Sequence, residues 1–206
     1  MNIVDTLMQQ WQNADVSFFL TTIASLGFAW FAAKGSAVSW GFGLLNAIVS
    51  LTLSMLHSSF IHNLAMLLFL FLCAWGLYTW KYGIDRAFRI NKIKISTHMK
   101  AIGTIVIGSI LLYASSYFHK GEINLYFAVH FSASMVCVYL TIRRILEVWF
   151  YWASVNMVHA FMLLQFEQYL SLSVILIYIP LMVRGLYRWN ARYYEQLEDH
   201  APPSTR

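Results

Sequence analysis

The sequence predicts an all-α membrane protein of seven spanning helices, and three observations predict it. Hydrophobic residues make up 59% of the 206-residue chain, against only 14 Lys or Arg and 9 Asp or Glu. A soluble domain carries roughly a quarter charged residues. The charges also cluster: Lys81, Asp85, Arg86, Arg89, Lys92, Lys94 and Lys100 form one group, and a second begins at Arg184. Long stretches are left without charge, and seven of them approach the about 20 apolar residues that a helix needs to cross a bilayer core. This composition excludes an ordinary soluble domain, a disordered chain and a nucleic-acid binder, since the net charge is only +5.

The expected spans are residues 16–33, 37–56, 60–80, 101–118, 123–142, 148–166 and 169–189. They are read as helices because a backbone in lipid needs internal partners, and the alternation of a barrel strand is absent. Asp5 and Asp15 precede the first run where a signal peptide has its basic region, so that run is expected to remain as a span. Cys73 and Cys137 both fall inside spans and are expected to pack as small apolar groups rather than to form a disulfide.

Basic residues set orientation. With residues 81–100 facing the cytoplasm, alternation puts Lys34, Arg143, Arg144, Arg184, Arg188, Arg192 and Arg206 on the same side and leaves only Lys120 outside. The N-terminus is then outside and the C-terminus cytoplasmic.

An internal repeat organises the chain. Gly76-Leu77-Tyr78-Thr79-Trp80 follows Asn46, and Gly185-Leu186-Tyr187-Arg188-Trp189 follows Asn156 at nearly the same interval. Spans 1–3 therefore match spans 5–7 at an offset of 109–110 residues. Three helices reverse the chain's direction and one more restores it, so the expected plan is a 3+1+3 parallel repeat, a transporter architecture. Residues 1–80 form the first three-helix repeat. Residues 81–122 hold the basic cytoplasmic loop and the linker helix, residues 123–190 the second repeat, and residues 191–206 a polar cytoplasmic tail.

Span 6 carries the densest chemistry. Trp149, Trp152, Asn156 and His159 recur at i, i+3, i+7 and i+10, within roughly 80° of one another on a helix that turns about 100° per residue. Two indoles, an amide and an imidazole on one stripe suit a flat heteroaromatic ligand: rings stack and the amide fixes a hydrogen-bonding edge. Asn46 is the repeat mate of Asn156, with an interhelical hydrogen bond as its plainer role. In span 3, Trp75 and Tyr78 share a face and are candidate pocket walls, while Trp80 reads as an interfacial anchor. His130 and Ser134 in span 5 form a stripe with Cys137 that lines a pathway or packs against a neighbour. His57 and His62 lack a nearby carboxylate or thiol and read weakly as metal ligands. No acidic residue sits at the centre of a span, which favours uncoupled transport, with His130 or His159 the remaining carriers of a proton. No Walker motif or nucleophile elbow appears. A retinal protein would need a Schiff-base lysine in the last span, which has none, and the scattered histidines do not form a metallohydrolase site.

Glu147-Val148-Trp149-Phe150-Tyr151-Trp152, with Asn156 four residues on, resembles the Glu-Asn-Trp-x-x-Trp-x-x-x-Asn signature of PnuC-type vitamin transporters. Arg143, Arg144 and Ser134 match as well, and residues 75–80 resemble the family's Tyr-Gly-Trp-Tyr-x-Trp. The plan is also similar to that of the SWEET sugar transporters. The resemblance implies facilitated diffusion of an unphosphorylated vitamin across the bacterial cytoplasmic (inner) membrane, with trapping by a cytosolic kinase. It implies no cofactor and no enzyme activity. It places substrate at Trp149, Trp152 and Asn156. The expected partners are the vitamin and the lipid bilayer, with a homo-oligomer left open and no nucleic acid. Nicotinamide riboside is the leading substrate. Val148, Leu77, Met66, Phe127 and Val138 depart from the family's polar or Trp residues, and a ribose needs hydrogen-bonding partners. Thiamine is therefore the alternative substrate, and a seven-helix receptor or photoreceptor the alternative of another class.

Overall fold

A computed structural model describes residues 2–57, 60–83, 88–115 and 124–199, with eight helices and no strand among them. These are α1 (Ile3–Gln12), α2 (Val16–Ala33), α3 (Val38–His57), α4 (Phe60–Tyr82), α5 (Ile95–Ser115), α6 (Leu125–Ile142), α7 (Val148–Gln165) and α8 (Tyr169–Asp199). Six of them, α2–α6 and α8, are long and apolar enough to cross a membrane. α7 has the same 18-residue length as α2 and α6. Its Trp, Tyr, Asn and His residues lower its hydropathy.

The helices start where the chain offers caps. Asp15 Oδ1 accepts from the Phe18 N–H at 2.9 Å, and Asn124 Oδ1 accepts from the Phe127 N–H at 2.7 Å. The two caps are 109 residues apart, as are the two phenylalanines they bind. The backbone bonds and the Ser17 hydroxyl keep the Asp15 carboxyl below its ordinary range.

Three elements differ from the expectation. α5 begins at Ile95 rather than 101, so the end of the basic segment is already helical. α8 continues to Asp199, through the first nine residues of the expected polar tail. α1 lay outside the seven expected runs because its apolar residues occupy one face only, and none is buried. Asp85, Arg86, the 116–118 end of span 4, Lys120 and residues 200–206 lie outside the described residues.

Helix neighbours come in matching pairs. α2 packs on α3 and α3 on α4; α6 packs on α7 and α7 on α8. α2 meets α8, and α4 meets α6. α5 lies on α6, and α1 on α8. Where α1 meets α8, Gln10 accepts from the Leu170 N–H at 2.9 Å and donates to the Glu167 carbonyl at 2.6 Å.

At the other end, four tryptophans lock the bundle. Gly76 exposes its backbone to the Trp40 ring, and Gly185 does the same for Trp149; a Cβ at either would overlap the indole. Trp40 meets Trp80 edge-on at 5.4 Å and 86°, and Trp149 meets Trp189 at 5.3 Å and 84°. Trp80 Nε1 then donates to the Ile142 carbonyl at 3.1 Å, and Trp189 Nε1 to the Ala32 carbonyl at 3.0 Å. Trp80 is thus an internal tie, not an interfacial anchor. Gly35 and Arg144, which are 109 residues apart, both take positive φ, at 71° and 57°, in the turns that follow α2 and α6.

Residues 88–94 lie across this end. Gln196 accepts from the Ile90 N–H and donates to the Phe88 carbonyl, both at 3.1 Å. Asn91 exchanges backbone bonds with Arg144 and Leu146 at 2.9 and 2.8 Å. The Phe88 ring packs on Trp80 at 5.0 Å and Trp189 at 5.5 Å. α8 extends past the spans because Gln196 must reach this strap.

Gly76→Ala and Gly185→Ala should each destabilise the protein by about 1–3 kcal/mol, the cost of overpacking a filled core. Gly41→Ala, which meets nothing within 4 Å, should not. Thermal melts of the purified variants in one detergent check this.

Candidate functional site

A cavity of about 480 Å³ opens between α2, α3, α4, α6, α7 and α8. Its size falls within the about 300–1,000 Å³ typical of small-molecule sites. The tryptophan lock closes it on one side, where Ala32, Thr141 and Trp149 line it. On the other side Phe18 and Ser171 also line a second hollow of about 440 Å³ beneath α1.

The cavity lies where the two halves face each other. Phe18 and Phe127, Ser25 and Ser134, and Ala32 and Thr141 all line it, and each pair is 109 residues apart. The same offset exposes where the halves differ. Thr21 faces the cavity in the first half and His130 in the second; Ser50 is matched by His159, and Gly43 by Trp152. Hydroxyls and a glycine on one side thus face imidazoles and an indole on the other.

α7 supplies the aromatic side. Trp152 donates through Nε1 to Thr141 Oγ1 at 3.2 Å, and that hydroxyl donates to the Cys137 carbonyl at 2.8 Å. Phe28 packs against the Trp152 ring at 6.5 Å and 66°. The indole plane is therefore set from two directions. Asn156 Nδ2 donates to the Trp152 carbonyl at 2.8 Å and contacts Met182 Sδ at 3.7 Å. This leaves Oδ1, on a residue that lines the cavity, without a hydrogen bond among the described residues. His130 and His159 face each other with ring centroids 4.5 Å apart. Trp149 is buried, and its indole N–H finds no protein acceptor; the same holds for its repeat mate Trp40, so the shared Gly–Trp packing accounts for both.

The opposite wall is polar. Thr21 Oγ1 donates to the Ser17 carbonyl at 2.8 Å and Ser25 Oγ to the Thr21 carbonyl at 2.7 Å. Both hydroxyls spend their proton on their own helix and keep lone pairs for a ligand donor. Tyr178 of α8 interacts with Ser25. Asn46 and Ser134 line the cavity and make no hydrogen bond among the described residues. Among the described residues no Asp, Glu, Lys or Arg lines it.

The structure brings Asn46, His130, Ser134, Trp149, Trp152, Asn156 and His159 around one space. It does not bring Trp75 or Tyr78 there. Trp75 is exposed beside Tyr139 at 6.0 Å, and Tyr78 is exposed beside Tyr82 at 5.8 Å. The physical reason is Gly76: its bare backbone must face Trp40, and this turns residues 75 and 78 outward. Thr21, Thr22, Ser25, Ser50 and Tyr178 also line the cavity and went unnoticed in the sequence. Applying the repeat offset to His130 and Ser134 would have found Thr21 and Ser25. Cys73 and Cys137 are buried free thiols. His62 stacks on Phe127 at 4.6 Å. Among the described residues no group of three or more His, Cys, Asp or Glu is placed to hold a metal.

Residues 16–191 match a family model described as "Nicotinamide mononucleotide transporter". A solved structure titled "Crystal structure of the Vitamin B3 transporter PnuC" superposes with a TM-score of 0.71 at 16% sequence identity, covering 94% of this chain and 90% of that one. At that identity the likeness is one of fold. No curated protein matches the chain.

If the cavity is as placed, Ser25→Cys and Ser134→Cys will react with a small water-soluble thiol reagent, and a ligand in the cavity will slow both reactions. Tyr78→Cys will react at a rate the ligand leaves unchanged. Mass spectrometry of labelled protein checks this against the buried native thiols.

Proposed function

The chain belongs to the nicotinamide mononucleotide transporter family, and from that premise we propose that it is a uniporter for an unphosphorylated, nucleoside-like vitamin, with nicotinamide riboside as substrate. It is a multi-pass membrane protein of a transporter family. The observation that carries the substrate reading is a cavity without charge whose two sides differ in chemistry. A phosphate buried there would have no counter-charge, at a cost of several kcal/mol for the isolated ion. A flat ring fits the side of Trp152 and Asn156, where the indole stacks and Oδ1 accepts from a carboxamide. The sugar hydroxyls fit the side of Thr21, Ser25, Ser50 and Asn46. These groups offset the polar side chains missing at Met66, Phe127 and Val138, which favours the riboside over thiamine. A pyridinium charge is accommodated by indole faces rather than by a carboxylate.

The transport reading rests on the same geometry. In it, α2–α4 and α6–α8 are parallel repeats of a seven-span 3+1+3 transporter, α5 is the linker, and α7 is the seventh span. The matched caps, turns, Gly–Trp packing and Trp bonds support that arrangement. The basic turns support a cytoplasmic tryptophan lock, with the N-terminus outside. The membrane is the bacterial cytoplasmic one. No acidic group lines the cavity, which supports facilitated diffusion without ion coupling, and a cytosolic kinase then traps the product.

Purified protein in liposomes should equilibrate nicotinamide riboside without a proton or sodium gradient and should not carry the mononucleotide. Accumulation that collapses with either gradient would overturn uncoupled transport, and thiamine uptake in its place would overturn the substrate. Trp152→Ala should weaken binding by about 1–3 kcal/mol, the scale of one aromatic–base stack, as read by calorimetric titration.

A further inference from the structure

The seam between α2 and α8 carries an arginine, Arg184, where the matching seam between α6 and α4 carries Trp75. Near the basic end of the spans, Arg184 of α8 sits over the ring of Trp30 at 4.0 Å, and Lys34 lies over the same ring at 4.9 Å. The repeat mate of Trp30 is Tyr139 and that of Arg184 is Trp75. Those two meet as a tilted ring pair at 6.0 Å. The fold thus packs this position equally well with two neutral rings, so its geometry does not demand the arginine.

Arg184 is half-buried one helical turn before Arg188, and Arg192 follows one turn later with its guanidinium beside Gly35. Lys34, Arg184, Arg188 and Arg192 therefore gather around the end of α2. Residues 16–35 and 169–194 contain no Asp or Glu, and no carboxylate pairs with Lys34, Arg184 or Arg188 among the described residues. A cation drawn into a span is costly unless an anion or water meets it. On the faces that carry Trp30 and Arg184, Leu20 and Ile23 of α2 and Ile177 of α8, which is two turns before Arg184, are exposed apolar side chains.

We propose that this seam binds the headgroup of an anionic phospholipid. A guanidinium matches phosphate oxygens two at a time, Lys34 adds a second charge, and Trp30 sits at the depth where indoles favour the headgroup region. The apolar column above holds the acyl chains. A soluble phosphate compound would have no use for that column, which is why the occupant is a lipid. Basic pockets between spanning helices have this chemistry. The inference goes beyond the substrate reading and does not depend on which vitamin is carried.

The test uses the full chain in mixed micelles with phosphatidylglycerol or phosphatidylcholine, read by native mass spectrometry of retained lipid and by thermal melting. Phosphatidylglycerol should be retained and should raise the melting temperature; phosphatidylcholine should do neither. Lys34→Gln and Arg184→Gln should each weaken retention about fivefold, the scale of one basic residue at an anionic bilayer surface. Arg143→Gln, at the repeat mate of Lys34, should leave it unchanged. If Arg184→Gln fails to fold, Lys34→Gln alone decides. Equal retention of both lipids, an equal loss in Arg143→Gln, or the same stabilisation by inorganic phosphate in phosphatidylcholine micelles would each overturn the proposal.

Discussion

Two reciprocal hydrogen bonds hold the two halves of this chain together. Trp80 reaches from α4 to the carbonyl at the end of α6, and Trp189 reaches from α8 to the carbonyl near the end of α2. The Ile142 carbonyl, at the end of α6, has no intrahelical partner, and the Ala32 carbonyl near the end of α2 also accepts from the Gly35 N–H at 2.8 Å. Each indole is then braced edge-on by the tryptophan of its own half, which in turn lies flat on a glycine. The repeated pentapeptide is the sequence form of this device. Its glycine admits the brace, and its tryptophan, one turn later on the same face, makes the tie.

A scaffold locked symmetrically at one end can hold an asymmetric ligand only if its lining breaks the symmetry. Phe18 and Phe127 or Ser25 and Ser134 keep it. The exchanges of Gly43 for Trp152, Ser50 for His159 and Thr21 for His130 break it without changing the backbone. The exchange of glycine for indole matters most: Phe28 packs where a Cβ at Gly43 would come within 3.2 Å of it, and the same Phe28 ring, with Thr141, sets the Trp152 indole. The same logic explains why α7, unlike α2–α6 and α8, is not apolar enough over 18 residues to read as a span by hydropathy alone. The residues that shape the ligand's side are those that lower its hydropathy.

The spans were legible because hydropathy and helix length are one-dimensional properties, and most expected boundaries fall within a residue or two of the helices. α7 was legible through its stripe of Trp149, Trp152, Asn156 and His159 rather than through hydropathy. The periodicity also told that Trp75 and Tyr78 share a face, but it does not say which face turns inward. Gly76 held that information, since a glycine conserved in position between two halves of one chain marks a close approach. Thr21 and Ser25 escaped notice because a lone hydroxyl in an apolar run looks like a residue satisfied by its own helix, which these two are. Their remaining lone pairs become visible only when the opposite wall is in place. The strap at residues 88–94 was not legible at all, since its order comes from Gln196, more than a hundred residues away.

In the proposed uniport reading the carrier exchanges between two openings on thermal and binding energy alone, and the lock is suited to that. The ties between α2–α4 and α6–α8 at the basic end include two hydrogen bonds between neutral groups and the tilted contact of Trp80 with Trp189 at 6.3 Å. A neutral hydrogen bond contributes about 0.5–1.5 kcal/mol net, and an aromatic pair about 0.5–1.5 kcal/mol beyond its burial. A handful of such terms is comparable to what one stacked ligand ring returns. A buried ion pair in the same place would bring desolvation costs of several kcal/mol per ion on separation. The use of indole and carbonyl rather than a carboxylate–arginine pair for these two ties therefore fits the proposed reading, in which a small, uncharged or singly charged vitamin opens the lock by itself. The Arg144 guanidinium at this end also lies on the rings of Phe88 and Trp80, at 5.0 and 5.8 Å, so aromatic faces meet that charge as well.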